Sequence, residues 1–347
     1  MRLRGICGLV SIAAILACAG CAGTQRPSGG ELPPAPSTPP VLNLCPMPAA
    51  PKDLAAKPGF AMLNVNVADA DHQPIGGLKQ ADFETYAKAM AFPIAFFHHD
   101  GAAPESIALA IDTSGSMQPK LPIVRGALAD FLGKLYPCDE VAVFAFSDRT
   151  YLLQPFTTDH QAAVQKLALL KANGETALYD SIAKAIDLEQ TSAHYPNRVV
   201  IVITDGMDNE SKMTEANLVA KSKSSALRMF LIGIGDPNPQ LQGQNIAIGP
   251  LVLGAGDIER VDAKAINSLA DASGGQAFIV PTVEDQDDGG AFGKALGSIG
   301  AALGQGYSLG VVLPPGVSAS SVTVAIPGHP DAVVRTRAVH AAQSPGP

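Results

Sequence analysis

Residues 107–116 of this chain read IALAIDTSGS, and the rest of the sequence is most easily understood from this stretch. The five apolar residues 107–111 predict a strand that is buried on both faces. Oxygen-bearing side chains follow at alternate positions, at Asp112, Ser114 and Ser116. A loop that leaves a strand end can aim all three at one point. A carboxylate with hydroxyls suits a hard cation such as Mg²⁺ or Ca²⁺.

Two later stretches carry side chains of the same kind. Residues 197–206, NRVVIVITDG, predict a second buried strand with Asp205 at its end. Residues 174–180, GETALYD, predict a loop that opens a helix and offers the hydroxyl of Thr176. In an open α/β sheet, ligand sites lie outside the carboxyl ends of the strands. We therefore expect three loops to bring five side chains to one edge of the sheet: Asp112, Ser114, Ser116, Thr176 and Asp205.

These residues resemble the metal-ion-dependent adhesion site of the von Willebrand factor A domain, which has the pattern D-x-S-x-S followed by a Thr and then an Asp. All five positions are filled here in that order. The resemblance implies an α/β fold over residues 105–304, with a doubly wound, mainly parallel sheet flanked by helices. Helical patterns fit this expectation in six segments, at residues 117–136, 159–171, 177–191, 214–227, 262–272 and 291–303.

The resemblance also implies a function. The five residues would act as metal ligands, some directly and some through water, for a divalent cation that is expected to be Mg²⁺, with Ca²⁺ or Mn²⁺ as alternatives. An acidic side chain of a partner protein would complete the coordination, so that the chain acts as a protein-binding module. The alternative is a structural envelope lipoprotein in which the metal only holds loops together.

Other classes of function find less support in the sequence. The two serines do not lie in a G-x-S-x-G motif, and neither H-E-x-x-H nor a phosphate-binding G-x-x-x-x-G-K-[ST] motif occurs. We therefore do not expect an enzyme. The 347 residues carry a formal net charge of -8 without a basic stripe, which argues against nucleic acid as a partner.

Residues 1–20 are interpreted as a signal peptide. Arg2 and Arg4 precede an apolar segment that is too short to span a bilayer comfortably. The segment leads into ACAGCAG, which resembles a bacterial lipoprotein signal, where a cysteine becomes the lipid-modified first residue. Cys21 is the favoured lipidation site and Cys18 is the alternative. A plain secretory signal that is cleaved nearby is a further alternative.

The mature protein is exported under each of these interpretations. Residues 21–58 are rich in Pro, Ala, Ser and Gly and are interpreted as an extended tether behind a lipid anchor. Ala22 follows Cys21, which by resemblance to Gram-negative lipoproteins permits export to the outer membrane. We therefore expect a lipid-anchored protein of the cell envelope.

Cys45 and Cys138 are the two cysteines that remain in the mature chain. Two thiols in an oxidising compartment are candidates for a disulfide. The alternative is one buried and one exposed free thiol, because the sequence does not determine the distance between them.

Strand patterns flank the predicted α/β domain on both sides, at residues 59–104 and 305–341. They resemble a bacterial subfamily of von Willebrand A proteins with the segments G-L-x-x-x-D-F, I-x-F-F and Y-x-L-G. These segments are matched here by Gly77-Leu78 with Asp82-Phe83, by Ile94 with Phe96-Phe97, and by Tyr307 with Leu309-Gly310. The two flanks are predicted to combine into one small β-sandwich that forms an accessory module.

The signal interpretation predicts a mature chain that starts at a lipid-modified Cys21. The reason is that Ala19 and Gly20 precede this cysteine after a short apolar segment. Mass spectrometry of the N-terminal peptide from the native host is the measurement. An unmodified peptide that starts elsewhere, or a chain that retains Met1, would contradict the prediction.

Overall fold

The structure is a computed structural model that describes residues 41–339, except 47–48, 70–73, 89, 100–102, 226, 236–245, 249–250, 254–260, 282 and 284–289. The predicted signal peptide, both candidate lipidation cysteines and most of the predicted tether lie outside the described residues. In the described part of the chain, no helix is both long and apolar enough to cross a membrane.

The described residues form fifteen strands and seven helices. The strands are β1 (Phe60–Ala68), β2 (Glu84–Ala87), β3 (Met90–Phe92), β4 (Ile94–His99), β5 (Ser106–Asp112), β6 (Glu140–Phe146), β7 (Thr150–Thr157), β8 (Arg198–Thr204), β9 (Arg228–Ile234), β10 (Ile246–Ile248), β11 (Leu251–Leu253), β12 (Gln276–Val280), β13 (Gly306–Val312), β14 (Thr323–Ala325) and β15 (Val333–Val339). The helices are α1 (Lys52–Ala55), α2 (Leu121–Gly133), α3 (His160–Leu167), α4 (Leu178–Ser192), α5 (Glu215–Ser224), α6 (Ala263–Ser273) and α7 (Gly290–Leu303).

A six-stranded sheet in the order β12-β9-β8-β5-β6-β7 forms the centre of the molecule. Neighbouring strands are parallel except for β7, which pairs antiparallel with β6 at the edge. The chain moves from β5 to one side through β6 and β7, and then returns to the other side through β8. The α/β fold with a doubly wound, mainly parallel sheet, predicted from the sequence, is confirmed.

Strand β5 is buried on both faces, which explains why its sequence shows no alternation of polar and apolar residues. Ile107, Leu109 and Ile111 pack into a cluster that includes residues of α2, α3 and α7. Ala108 and Ala110 pack into the cluster on the opposite face, which includes residues of α4, α5 and α6. All five are fully buried, and burial of each large aliphatic side chain stabilises the fold by about 1.5–3 kcal/mol.

Helix α2 begins at Leu121, four residues later than the predicted start. Residues Gly115–Met117 instead form one turn of 3-10 helix. Up to α2 the chain continues in tight turns, with the amides of Gln118 and Lys120 donating to carbonyls three residues earlier. Pro122 is accommodated in the first turn of α2, where its missing N–H is not needed.

The flanking strands form two further sheets. Strands β15-β1-β13-β4 make an antiparallel four-stranded sheet, and β14-β2-β3 make a three-stranded sheet in which the short β2 and β3 were not predicted. Side chains from both sheets share one apolar cluster. Tyr307 is fully buried in it, with its ring near Phe83 and Phe97. The accessory module over residues 59–104 and 305–341 stays a prediction.

Arg228 joins the flanking strands to the central sheet. Its guanidinium donates to Glu105 Oε1 at 2.6 Å, to Asn66 Oδ1 at 3.1 Å and to the carbonyl of Ala302 at 3.0 Å. Arg228 begins β9, and Glu105 directly precedes β5. The junction therefore lies at the amino ends of the central strands.

The last residues of the predicted tether lie against the same end of the sheet. The carbonyl of Val41 accepts hydrogen bonds from Thr157 Oγ1 and from the amide of Thr158. Cys45 forms a disulfide with Cys138, the pairing predicted from the sequence, with Cα atoms 5.7 Å apart. Because Cys138 precedes β6, the disulfide also lies at the amino end of a central strand.

The disulfide yields a stability prediction. Cys45→Ser should lower the free energy of unfolding by about 2–4 kcal/mol, because the bond restrains a long loop of the unfolded chain. Urea denaturation with and without reductant is the measurement. Reductant should destabilise the wild type and leave Cys45→Ser unchanged. A wild type that is indifferent to reductant would contradict the prediction.

Candidate functional site

Asp112 ends the central strand and is fully buried. Its Oδ1 accepts the amide N–H of Ser114 at 2.7 Å, and its Oδ2 accepts the hydroxyl of Thr204 at 2.6 Å. The register of β5 and β8, in which Ile111 is opposite Ile203, brings Asp112 next to Thr204. The sheet thus places the ends of the two strands, with Asp112 and Asp205, side by side.

The hydroxyl of Ser116 lies next to the second aspartate, and the hydroxyl of Ser114 lies next to that of Ser116. Their Oγ atoms are 3.2 Å apart, and Ser116 donates to Oδ1 of Asp205 at 2.8 Å. Ser114 and Asp205 are each 2% exposed, whereas Ser116 is exposed. The site therefore has a buried floor and one hydroxyl at its opening.

Thr176 is brought to the site by its backbone. Its amide donates to Asn209 Oδ1 at 2.8 Å, and its carbonyl accepts the amide of Asn209 at 3.0 Å. A Cβ atom added to Gly206 would lie 3.2 Å from Thr176 Oγ1. The threonine hydroxyl therefore lies against the residue that follows Asp205, where glycine leaves room for it.

The three site loops, residues 113–120, 168–177 and 205–214, are tied together by further hydrogen bonds. The amide of Gly115 donates to the carbonyl of Gly174 at 3.0 Å, and the amide of Asn173 donates to the carbonyl of Thr113 at 2.7 Å. Asp112 at the end of β5 and the other four predicted residues in these loops thus lie at the carboxyl edge of the sheet. Their role as metal ligands stays a prediction.

Two aspartates hold the loop after β8 against the start of α4. Asp180 accepts the amides of Lys212 and Met213 at 3.1 and 2.9 Å, and Asp208 accepts the amide of Tyr179 at 3.1 Å. Asp180 therefore supports the loop that follows Asp205.

Lys120 is the site residue that sequence reasoning missed. Its Nζ lies 2.6 Å from Oδ2 of Asp205 and 3.2 Å from the carbonyl oxygen of Ser116. The residue is 6% exposed. The sequence held one weak sign of this role, since Lys120 follows Ser116, the last serine of the motif, by only four residues.

The donor set fits a hard divalent cation. It offers two carboxylates and three hydroxyls, which are oxygen ligands without thiolate or imidazole. Burial raises the pKa of Asp112 to about 6, the hydrogen bonds from Thr204 and Ser114 oppose that rise, and the charge of Asp205 adds to it. A divalent ion held by these five residues would supply the positive charge that favours both carboxylates in ionised form.

The strand order and the strand-end loops define a doubly wound α/β domain with a cluster of carboxylates and hydroxyls at its carboxyl edge. Residues 107–207 match the family model described as "von Willebrand factor type A domain". This part of the chain is therefore a von Willebrand factor type A domain, as the sequence motif predicted.

Among curated proteins, the chain is similar to a UPF0353 protein of Mycolicibacterium paratuberculosis (strain ATCC BAA-968 / K-10), with 24% identity over 202 residues. The match covers 52% of this chain and 58% of the relative, so it spans less than two thirds of that protein.

Solved structures with similar folds come from several sources. The conserved hypothetical protein BatB from Bacteroides thetaiotaomicron matches with a TM-score of 0.43 and 18% identity, over 57% of this chain and 96% of that chain. Proximal thread matrix protein 1 from the mussel byssus, solved with a zinc-occupied MIDAS motif, matches with a TM-score of 0.45 and 16% identity, over 62% of this chain and 49% of that chain.

The raised pKa of Asp112 predicts how the metal-free protein responds to pH. The folded carboxyl keeps its proton up to about pH 6, whereas the ordinary value is 3.8. The protonated carboxyl therefore contributes stability that is fully present below the ordinary pKa and is lost as the pH rises through about 6. The difference corresponds to about 3 kcal/mol.

Asp112→Asn should remove this dependence, because the amide stays neutral. In the presence of a chelator, we compare the free energies of unfolding of the variant and of wild type. The difference between them should shift by about 3 kcal/mol in favour of the variant when the pH is raised from about 4 to about 7. Urea denaturation at both pH values measures the gain. Asp187→Asn, an exposed position on α4, controls for the loss of a carboxylate elsewhere. The prediction would be contradicted if the free energies of unfolding of Asp112→Asn and wild type differed by the same amount at both pH values.

Proposed function

We propose that Asp112, Ser114, Ser116, Thr176 and Asp205 bind one divalent cation, and that an acidic side chain of a partner protein completes its coordination. The observation that carries this proposal is the arrangement of two buried carboxylates and adjacent hydroxyls with Ser116 at the exposed opening. A cation on this floor is reachable from solvent on the side of Ser116.

The chemistry of the residues favours an external anionic ligand. The three hydroxyls are neutral, so only the two aspartates supply negative charge directly to the ion. An ion with few charged ligands remains electrophilic and favours a carboxylate from outside. Met207, two residues after Asp205, is an apolar side chain that is 42% exposed.

The attachment points of the chain support a binding module that faces away from its anchor. The disulfide of Cys45 and the junction at Arg228 lie at the amino ends of the central strands. The candidate metal site lies at the carboxyl ends. A lipid anchor at Cys21 and a tether over residues 21–58 would hold the amino-end side toward the membrane of the cell envelope.

Mg²⁺ is the proposed ion, with Ca²⁺ and Mn²⁺ as alternatives, because each of them accepts oxygen ligands. The alternative function is structural, with an ion that only holds the site loops together. The two functions differ in whether a partner is lost when the metal is removed from a folded protein.

Metal binding is tested first, by calorimetric titration of Mg²⁺ and Mn²⁺. Asp112→Ala should weaken binding on the order of 100-fold or more, since a carboxylate is lost from the centre of the site. Ser114→Ala should weaken it less, because water replaces one hydroxyl. The Asp187→Ala variant, which loses an exposed carboxylate on α4, should bind as the wild type does. Equal affinities of wild type and Asp112→Ala would rule out the site.

The bridge to a partner is tested with the same variants. Proteins from an envelope extract should be captured by wild type and by Asp187→Ala in Mg²⁺, and by neither the chelated wild type nor Asp112→Ala. Circular dichroism checks that each protein is folded. Capture that survives the chelator would contradict the bridging mechanism, and metal binding without any metal-dependent capture would favour the structural alternative.

A further inference from the structure

Lys120 places a positive charge inside the candidate metal site. Its side chain is 7% exposed and pairs with Asp205, whose side chain is fully buried. Nζ also donates to the carbonyl oxygen of Ser116, in the same loop as the serine hydroxyls. The lysine therefore links two of the site loops.

Both oxygens of Asp205 have donors in this arrangement. Oδ1 accepts the hydroxyl of Ser116 and Oδ2 accepts the ammonium of Lys120. A divalent cation that takes Asp205 as a ligand must share this carboxylate with the ammonium. At short range in a buried site, two cations repel each other strongly.

Two carboxylates and one ammonium set the net charge of the site. Asp112 and Asp205 contribute two negative charges when ionised, and Lys120 contributes one positive charge. The site then carries one net negative charge without metal and one net positive charge with a divalent ion. Without Lys120 the corresponding charges would be two negative and zero.

We propose that Lys120 is a resident counter-cation that sets the charge of this site. It holds the site loops when no metal is bound, lowers the affinity for the divalent ion, and leaves the loaded site positively charged. An anionic group of the partner is then bound more strongly than at a neutral site. This inference rests on the proposed metal site and assigns to Lys120 a positioning role that the D-x-S-x-S pattern does not include.

Lys120→Met is the main test variant, since methionine keeps an unbranched apolar stem and removes the charge. The affinity for Mn²⁺, measured by calorimetry at low temperature, should rise roughly 10- to 100-fold. The Mn²⁺-loaded variant should bind acetate roughly 3- to 10-fold more weakly than the loaded wild type, as followed by water proton relaxation. Without metal, the melting temperature of Lys120→Met should be lower than that of wild type. Mn²⁺ should raise the melting temperature of the variant by more than it raises that of wild type.

Two control variants separate charge from structure. Lys120→Arg keeps the positive charge and should keep an affinity for Mn²⁺ near that of wild type. Lys221→Met removes a partly exposed lysine that pairs with Asp187 on α4 and should change neither affinity. A purely structural role of Lys120 would move the melting temperature without tightening Mn²⁺ binding.

The outcomes distinguish this inference from the proposed function. Mn²⁺ binding by wild type that is lost in Asp112→Ala, with equal or weaker binding in Lys120→Met, would overturn the role of Lys120 alone. Equal Mn²⁺ affinities of Lys120→Arg and Lys120→Met would also overturn the role of Lys120. No binding by wild type with clear binding by Lys120→Met would support the inference in its strongest form. No binding by any variant would overturn both proposals.

Discussion

Two aspartate carboxylates are buried side by side at the end of the central sheet, and the surrounding loops are arranged around them. Asp112 is fully buried and Asp205 is 2% exposed. A buried carboxylate is costly unless it is hydrogen-bonded or paired with a cation. The donors here come from Ser114, Ser116, Thr204 and Lys120, and their bonds to the two carboxylates join the loop after β5 to the end of β8. The need to stabilise the carboxylates thus links the conformations of these segments.

The sheet makes this arrangement rigid at its base and adjustable at its edge. Strands β5 and β8 are parallel neighbours with apolar residues on both faces, so the positions of Asp112 and Asp205 follow from the core. The loops beyond the strand ends pack fewer apolar groups, and their polar bonds can be exchanged without opening the core. This division suits the proposed site, whose ligands would be shared with an ion and a partner.

The other attachments of the domain lie at the opposite edge. Arg228 joins the flanking strands near the starts of β5 and β9, and the Cys45–Cys138 disulfide joins the chain before β6. Parallel strands separate these junctions from the candidate metal site, since all their amino ends lie at one edge and all their carboxyl ends at the other. The candidate metal site therefore lies at the edge opposite Cys45.

The sequence by itself determined the features that depend on local patterns. Apolar runs identified the central strands, helical patterns located α2 to α7, and the D-x-S-x-S motif identified the candidate ligands. The tertiary structure alone decided which distant residues meet. Lys120 pairs with Asp205 across 85 positions, and β1 pairs with both β13 and β15 from the far end of the chain. The reason is physical: a local pattern reports the burial and the conformation of its own segment, whereas the partner of a buried charge or of a strand edge depends on the path of the whole chain.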